Sequence, residues 1–312
     1  MAEMMRAYAR GADPAEPELI GHAVVPVPEI DADELLVRVQ AVGVGTHDAV
    51  FLPHEGVRPY PIGMEGAGVV TQVGAAVSGY AVGDRIAFIS QMHPKGGTWA
   101  EYAVVRAADL ILRIPAGMTA AQAAAVPVAA GTAMRALAGL GDPAPGAVLF
   151  VAGASGAVGS MLVPLAVRAG WRVVASASAG SLGQLRELGA DAAVDYRGDW
   201  RAQVRSLFPG GVDAAVAIPS GTTVSAMEVV RDQRAVITVS ADDVAPVRGI
   251  RVSGLDYAAP VRAPLQHLLE EVQAGRFPLH IDLQLPLERA EDALAKVRAQ
   301  RARGKTVLTI DS

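Results

Sequence analysis

An α/β fold of two domains is expected, a doubly wound parallel sheet joined to a smaller, barrel-like antiparallel β module. Three observations carry that expectation. The run Ala147–Gly159, AVLFVAGASGAVG, takes an apolar strand straight into glycines spaced by three and then into a helix pattern. Beyond it, short apolar strands alternate with helix patterns as far as Ser253. Before it, alternating strands are punctuated by Gly, Pro and Asp.

In the first 118 residues, Glu34–Val44 (ELLVRVQAVGV), Gly68–Val73, Arg85–Ile89 and Tyr102–Val105 alternate apolar and polar side chains, with turns at Gly83-Asp84 and Pro94-Lys95-Gly96-Gly97. A period of two marks half-buried strands, and their spacing marks an antiparallel module without a glycine phosphate loop. The Ala-rich stretch Ala120–Leu140 is apolar enough to resemble a membrane span, but Gln122, Pro127, Gly131, Thr132 and Arg135 interrupt it, and a buried helix pair is expected.

The middle of the chain offers six strands: Ala147–Ala152, Arg172–Ala175, Ala192–Val194, Ala214–Ile218, Ala235–Val239 and Ile250–Ser253. Helix patterns such as Ser181–Leu188 and Thr223–Arg231 separate them, the arrangement of a parallel sheet covered on both faces. Pro164 falls inside the helix after the glycines, where it removes a backbone bond and crowds the Ser160 carbonyl, so a local kink is expected. The tail, Leu285–Ile310, reads strand–helix–strand with Ala290–Arg301 as the helix, and is expected to pair back with the first module. The domains then run 1–118, 119–275 and 276–312, the middle one an insertion, with the active site in the cleft between domains.

Composition excludes several classes. The chain has 312 residues, 51% of them apolar, enough for two domains with a substantial core. A net charge of −5 argues against nucleic acid as a partner. With no cysteine, disulfides and thiolate metal sites are excluded. The opening MAEMMRAYARGADPAEPEL has no apolar core of a signal peptide, so a cytoplasmic location without membrane attachment is expected.

The glycine run is the chemical centre of the sequence. Gly153 permits a tight turn, Gly156 lets backbone approach a pyrophosphate, and Gly159 lets helix and strand pack closely. Gly153, Ala154, Ser155, Gly156, Ala157, Val158 and Gly159 together present a helix N-terminus, whose unpaired N–H groups and partial positive charge suit phosphates. Dinucleotide binding is the expected use.

Ordered motifs extend this reading over nearly the whole chain. They are Gly63-Met64-Glu65-Gly66-Ala67-Gly68, Val82-Gly83-Asp84-Arg85, Gly96-Gly97-Thr98-Trp99-Ala100-Glu101-Tyr102 and Ala123-Ala124-Ala125-Val126-Pro127. Gly131-Thr132-Ala133, the glycine turn, Leu188-Gly189-Ala190-Asp191 and Arg303-Gly304-Lys305 follow. In these the chain resembles the medium-chain dehydrogenase/reductase superfamily, specifically its zinc-independent quinone oxidoreductase and enoyl reductase branch. The resemblance implies a GroES-like β-barrel catalytic domain, a Rossmann domain with a six-stranded parallel sheet, and a homodimer. Zinc-dependent relatives hold their metal with a cysteine and a histidine where this chain has Gly45 and Met64. His47, Asp48, His54 and Glu55 cluster in sequence, but two loop histidines are more often solvated, and no metal is expected. Without a Lewis acid, a quinone or an α,β-unsaturated carbonyl is the better hydride acceptor, because conjugation spreads the developing charge.

NADPH is the expected cofactor. The second parallel strand ends Ala175-Ser176-Ala177-Ser178, with no carboxylate until Glu187 to hold free ribose hydroxyls. Ser176 and Ser178 leave room for a 2′-phosphate, Ser181 stands about where relatives carry a lysine, and Tyr196 matches their tyrosine. Arg301 or Arg303 could bring a cation from the tail, or Arg303 is a surface residue. The resemblance places Thr132 at the nicotinamide, although a back-bonding helix threonine is the plainer role. Hydroxyls in Pro219–Thr223 and at Ser240 either contact the cofactor or form turns. On the substrate side, the asparagine and tyrosine of related reductases are replaced by Gly45 and Val50, leaving Thr46, His47 and Tyr60 as candidate donors. His47 has an unperturbed pKa suited to protonating an enolate, or it is an ordinary loop histidine, and Asp48 reads as structural. A second class of function also fits: an NADPH-binding protein without redox turnover, structural, regulatory or recruited to a step such as cyclisation.

Overall fold

The computed structural model describes residues 3–13, 15–53 and 56–311. His54 and Glu55 lie outside the described residues. The chain opens with strands β1 (Met4–Arg10), β2 (Ile20–Pro26), β3 (Glu34–Val44), β4 (Tyr60–Pro61), β5 (Glu65–Val73), β6 (Arg85–Ile89), β7 (Tyr102–Arg106) and β8 (Ile111–Arg113). Helices α1 (Ala120–Ala124) and α2 (Pro127–Leu140) follow. The expected helix pair is thus present, parted at Ala125-Val126; its length and apolar character would allow a membrane span, yet 56% of the relevant window is buried in protein.

The alternating segment runs β9 (Val148–Ala152), α3 (Ala157–Arg168), β10 (Arg172–Ala177), α4 (Leu182–Glu187), β11 (Ala192–Asp195), α5 (Trp200–Leu207), β12 (Val212–Ala217), α6 (Thr223–Met227), β13 (Val230–Thr238) and β14 (Arg251–Ser253). It forms a six-stranded sheet in the order β11-β10-β9-β12-β13-β14, every pair parallel. The order reverses between β9 and β12, which makes the C-terminal end of β9 the switch point of a doubly wound sheet. Helix α3 runs through Pro164 as one element. The expected helix Thr223–Arg231 stops at Met227, because Val230 already pairs with Val212 on β12. Residues 231–234 then bulge out, with Gln233 in the left-handed region at φ 60°, before pairing resumes at Ala235.

The tail supplies α7 (Arg262–Gln273), β15 (Ile281–Pro286), α8 (Ala290–Arg298) and β16 (Lys305–Thr309). As the pattern requires, β16 returns antiparallel to β3, in a seven-stranded sheet with β15, β5, β6, β7 and β8. Strands β2, β1 and β4 form a separate small sheet. Two compact units result: the first comprises residues up to Val128, Arg262–Arg276 and everything from Ile281, and the second Ala129–Val261 with Phe277–His280. These divisions differ from 118 and 275 for a packing reason. The Val128 N–H donates to Glu65 Oε2 at 2.8 Å, tying the start of α2 to β5. Gln266 of α7 exchanges hydrogen bonds of 2.8 and 3.0 Å with the Arg113 backbone of β8.

Each unit has its own core. In the first, Leu35, Val37, Val42, Phe88 and Trp99 pack with Leu294 and Leu308 from the tail. In the second, Phe150 of β9 stacks on Trp200 of α5, centroids 5.0 Å apart and rings within 5° of parallel. Phe150 is 1% exposed, so Phe150→Ala removes a filled volume that the close-packed sheet cannot reclaim. The expected cost is about 3–5 kcal/mol in urea unfolding of the second unit; a loss below about 1 kcal/mol would contradict this packing.

Candidate active site

Each glycine of the turn after β9 has a separate physical task. Gly153 sits at φ 74°, and a Cβ there would lie 2.5 Å from the Pro219 ring. At Gly159 a Cβ would lie 2.5 Å from the Ala154 backbone, so α3 packs directly on the turn. Gly156 differs: its backbone is extended (φ −76°, ψ −178°), and a Cβ would meet only Gly153 O at 3.7 Å. Nothing in the fold requires glycine there, and the space before it is open. Gly156 is also the N-cap of α3 and makes no side-chain cap, so the helix start keeps its donors for another partner. The cradle therefore fits a phosphate.

Beside it, the ends of β10 and β11 gather the predicted adenosine-side residues. The Ala154 N–H donates to the Ser176 carbonyl at 2.9 Å, and the Tyr196 N–H to the Ala177 carbonyl at 3.1 Å. Ser176 is buried within β10, and Ser178 opens the turn Ala179–Ser181 without capping it. Ser181 is 1% exposed and its Oγ has no hydrogen-bond partner among the described residues. Tyr196 is half exposed, with the Arg197 guanidinium 5.5 Å from its ring centroid. Arg197 is a cation that sequence reading passed over, although its place directly after Tyr196 was visible. Arg303 belongs to the first unit, where its N–H donates to Asp282 Oδ2 at 2.9 Å. Thr132 lies on α2 in the second unit, and its hydroxyl makes no back-bond among the described residues.

On the other side of β9, Ser240 has the turn-forming contact that is the alternative to a cofactor contact. Its Oγ donates to Asp242 at 3.0 Å, as does that of Ser220 at 3.1 Å.

The predicted substrate-side residues lie in the first unit. A short 3₁₀ turn, Thr46–Ala49, follows β3. Asp48 is fully buried and accepts the Gly45 N–H at 2.6 Å and the Met64 N–H at 2.9 Å, the structural part expected of it. Burial pushes its carboxyl up to about 6 despite the nearby Lys305 charge and these two donors. Thr46 is exposed. His47 lies folded over Gly45, where a Cβ would come 2.2 Å from the ring's Cε1. Its Nε2 is enclosed without a hydrogen bond, 3.6 Å from Asp48 Oδ1. Burial first, and then the Lys305 charge, push the imidazole down to about 4. At neutral pH it is uncharged, so its expected role as an ordinary acid near pH 6.5 is corrected.

Lys305 itself is 1% exposed and ion-paired with fully buried Glu65. The pair fills the hollow at Gly43, where a Cβ would lie 2.3 Å from Glu65 Oε1. Tyr60 is corrected as well: its hydroxyl is buried and donates to the His93 carbonyl at 3.0 Å, and burial pushes it up to about 12. His93 in turn bonds Glu34 at 3.0 Å, which also receives Lys95 at 2.6 Å, so Tyr60 is part of a framework holding the 90–97 loop. Among the described residues no three His, Asp or Glu side chains converge on a metal position.

Two outcomes follow for this unit. An NMR titration of the His47 ring should show a midpoint near 4; one near 6.5 would contradict its burial beside Lys305. Lys305→Met should raise that midpoint and, by stranding Glu65, cost about 3–5 kcal/mol in chemical unfolding.

Comparison with known proteins agrees with this architecture. The family description "Alcohol dehydrogenase GroES-like domain" matches residues 31–116, and "Zinc-binding dehydrogenase" matches residues 188–308. The chain is 31% identical over 311 residues to a chloroplast envelope quinone oxidoreductase homolog of Arabidopsis thaliana, covering 92% of this chain and 93% of that one. It is 30% identical over 297 residues to the NADPH-dependent alkenal/one oxidoreductase, chloroplastic, of the same plant, covering 90% of this chain and 73% of the relative. The solved quinone oxidoreductase of Coxiella burnetii superposes with a TM-score of 0.87 at 22% identity, over 99% of this chain and 100% of that one, a likeness of fold. With a switch-point glycine turn in one unit and a GroES-like barrel in the other, the chain belongs to the medium-chain dehydrogenase/reductase superfamily, in its quinone oxidoreductase branch.

Proposed function

We propose that this oxidoreductase uses NADPH to reduce a quinone or an α,β-unsaturated carbonyl without zinc. The observation that carries the reading is the open face at Gly156, where the fold itself sets no requirement for glycine. The dinucleotide, when bound, supplies the hydride. The chain's own residues do the rest. The N–H groups at the start of α3, from Ala157 to Gly159, receive the pyrophosphate. Ser178, Tyr196 and Arg197 receive the 2′-phosphate, and no carboxylate at the end of β10 repels it. Thr132 contacts the nicotinamide half. The exposed Thr46 hydroxyl donates to the substrate oxygen as charge develops there, and the neutral His47 ring forms the adjoining wall.

Zinc does not fit the residues present. Gly45 has no ligand atom, Met64 is a poor Zn²⁺ donor, and Asp48 spends both oxygens on backbone N–H groups. The similarity to two plant relatives, a quinone oxidoreductase homolog and an alkenal/one oxidoreductase, supports an acceptor of the conjugated class.

Fluorescence titration with NADPH and NADH tests the cofactor, and NADPH oxidation with simple quinones and enones tests the reaction. The expected outcome is tighter NADPH binding, with turnover, and an Arg197→Ala variant about tenfold weaker for NADPH and unchanged for NADH. Equal affinities would overturn the 2′-phosphate assignment. Binding without turnover of either acceptor class would overturn the reductase reading in favour of a non-redox role.

A further inference from the structure

One carboxylate in the second unit gathers far more donors than a surface aspartate needs. Asp242, just beyond β13, accepts the Gly221 N–H at 2.9 Å, the Thr223 hydroxyl at 2.8 Å and N–H at 3.3 Å, and the Ser220 and Ser240 hydroxyls at 3.1 and 3.0 Å. Its own N–H donates to Thr238 Oγ1 at 3.0 Å. Ala241, preceding it, is held in the left-handed region at φ 56°, which a residue other than glycine adopts only under constraint. The loops after β12 and β13, with no regular ladder of their own, are thus fastened to a single side chain.

That fastening reaches the phosphate cradle. Pro219 heads the β12 loop, and its ring lies against Gly153 so closely that a Cβ there would be 2.5 Å away. Asp242 therefore fixes the loop that backs the first glycine of the turn. Sheet order then says which half of a ligand is affected. The serines and Tyr196 lie at the ends of β10 and β11, on one side of β9, whereas the Asp242 loops lie at the ends of β12 and β13, on the other. A dinucleotide with its pyrophosphate at the end of β9 and its adenosine over β10 extends its second nucleoside over β12 and β13.

We propose that Asp242 is a positioning residue for the nicotinamide half of the dinucleotide, acting through the Pro219–Thr223 and Val239–Asp242 loops without touching the ligand. This rests on the reading that a dinucleotide binds at the glycine turn. Its consequence is selective: losing Asp242 loosens the half-site at β12 and β13 and leaves the half-site at β10 and β11 as it was.

The test compares binding of NADPH with that of adenosine 2′,5′-bisphosphate, which carries only the adenosine half, in the full chain and its variants. Asp242→Ala should weaken NADPH about tenfold and raise its KM, with adenosine 2′,5′-bisphosphate held within about twofold. Asp242→Asn, which keeps a carbonyl acceptor, should recover most of the loss. Thr223→Val, which removes only the 2.8 Å hydroxyl bond, should shift NADPH alone and by less. Unchanged NADPH binding in Asp242→Ala and Thr223→Val would overturn the proposal, as would an equal loss of both ligands. A wild-type chain that binds neither ligand would instead overturn the glycine-turn reading on which the proposal rests.

Discussion

The second unit depends on close approach at the C-terminal end of β9. There Gly159 brings α3 onto the Ala154 backbone, and Gly153 lets the turn pass against Pro219, with no room for a Cβ at either place. Behind this contact the strand is buried on both faces, with Phe150 stacked on Trp200. The neighbouring strand ends take their places from it, since the Ala154 N–H reaches the Ser176 carbonyl and the Ile218 N–H the Ala152 carbonyl. A face held by such contacts has a lower ordering cost when a ligand binds.

The first unit solves a different problem, holding polar groups in a buried place without letting them neutralise one another's purpose. Asp48 locks the turn after β3 to the Met64 backbone, and the Glu65–Lys305 pair joins β5 to the returning tail strand β16. Buried ion pairs add little net stability, because desolvation offsets their attraction, but a broken one is costly, and so they specify geometry. Burial first, with the Lys305 charge beside it, keeps His47 uncharged over Gly45, while Thr46 stands at the surface. An uncharged wall with one hydroxyl donor suits acceptors whose own conjugation carries much of the developing charge.

Local pattern revealed a large part of this. The strand–glycine–helix run and the six apolar strands are short-range signals, and β3 and β6 were legible to the residue as Glu34–Val44 and Arg85–Ile89. Strands β1 and β2 were passed over, since MMRAYAR and IGHAVVP alternate too weakly to stand out, and cross-strand pairing makes them strands. The helix expected over Thr223–Arg231 failed where Val230 found Val212, a partner far away in sequence. Site residues divided the same way. Glycine spacing located the cradle, but whether a hydroxyl is free or spent depends on distant partners: Ser240 is spent on Asp242, Tyr60 on His93, and Ser181 on nothing.

The most direct measurement on the central claim, that Gly156 is glycine for a ligand and not for the fold, is dinucleotide binding and thermal unfolding of Gly156→Val. The backbone there is extended, and a Cβ makes only an ordinary contact with the Gly153 carbonyl oxygen at 3.7 Å. The account predicts an unfolding temperature near that of the wild type together with loss of NADPH binding. Retained binding, or an unfolding temperature well below that of the wild type, would contradict it.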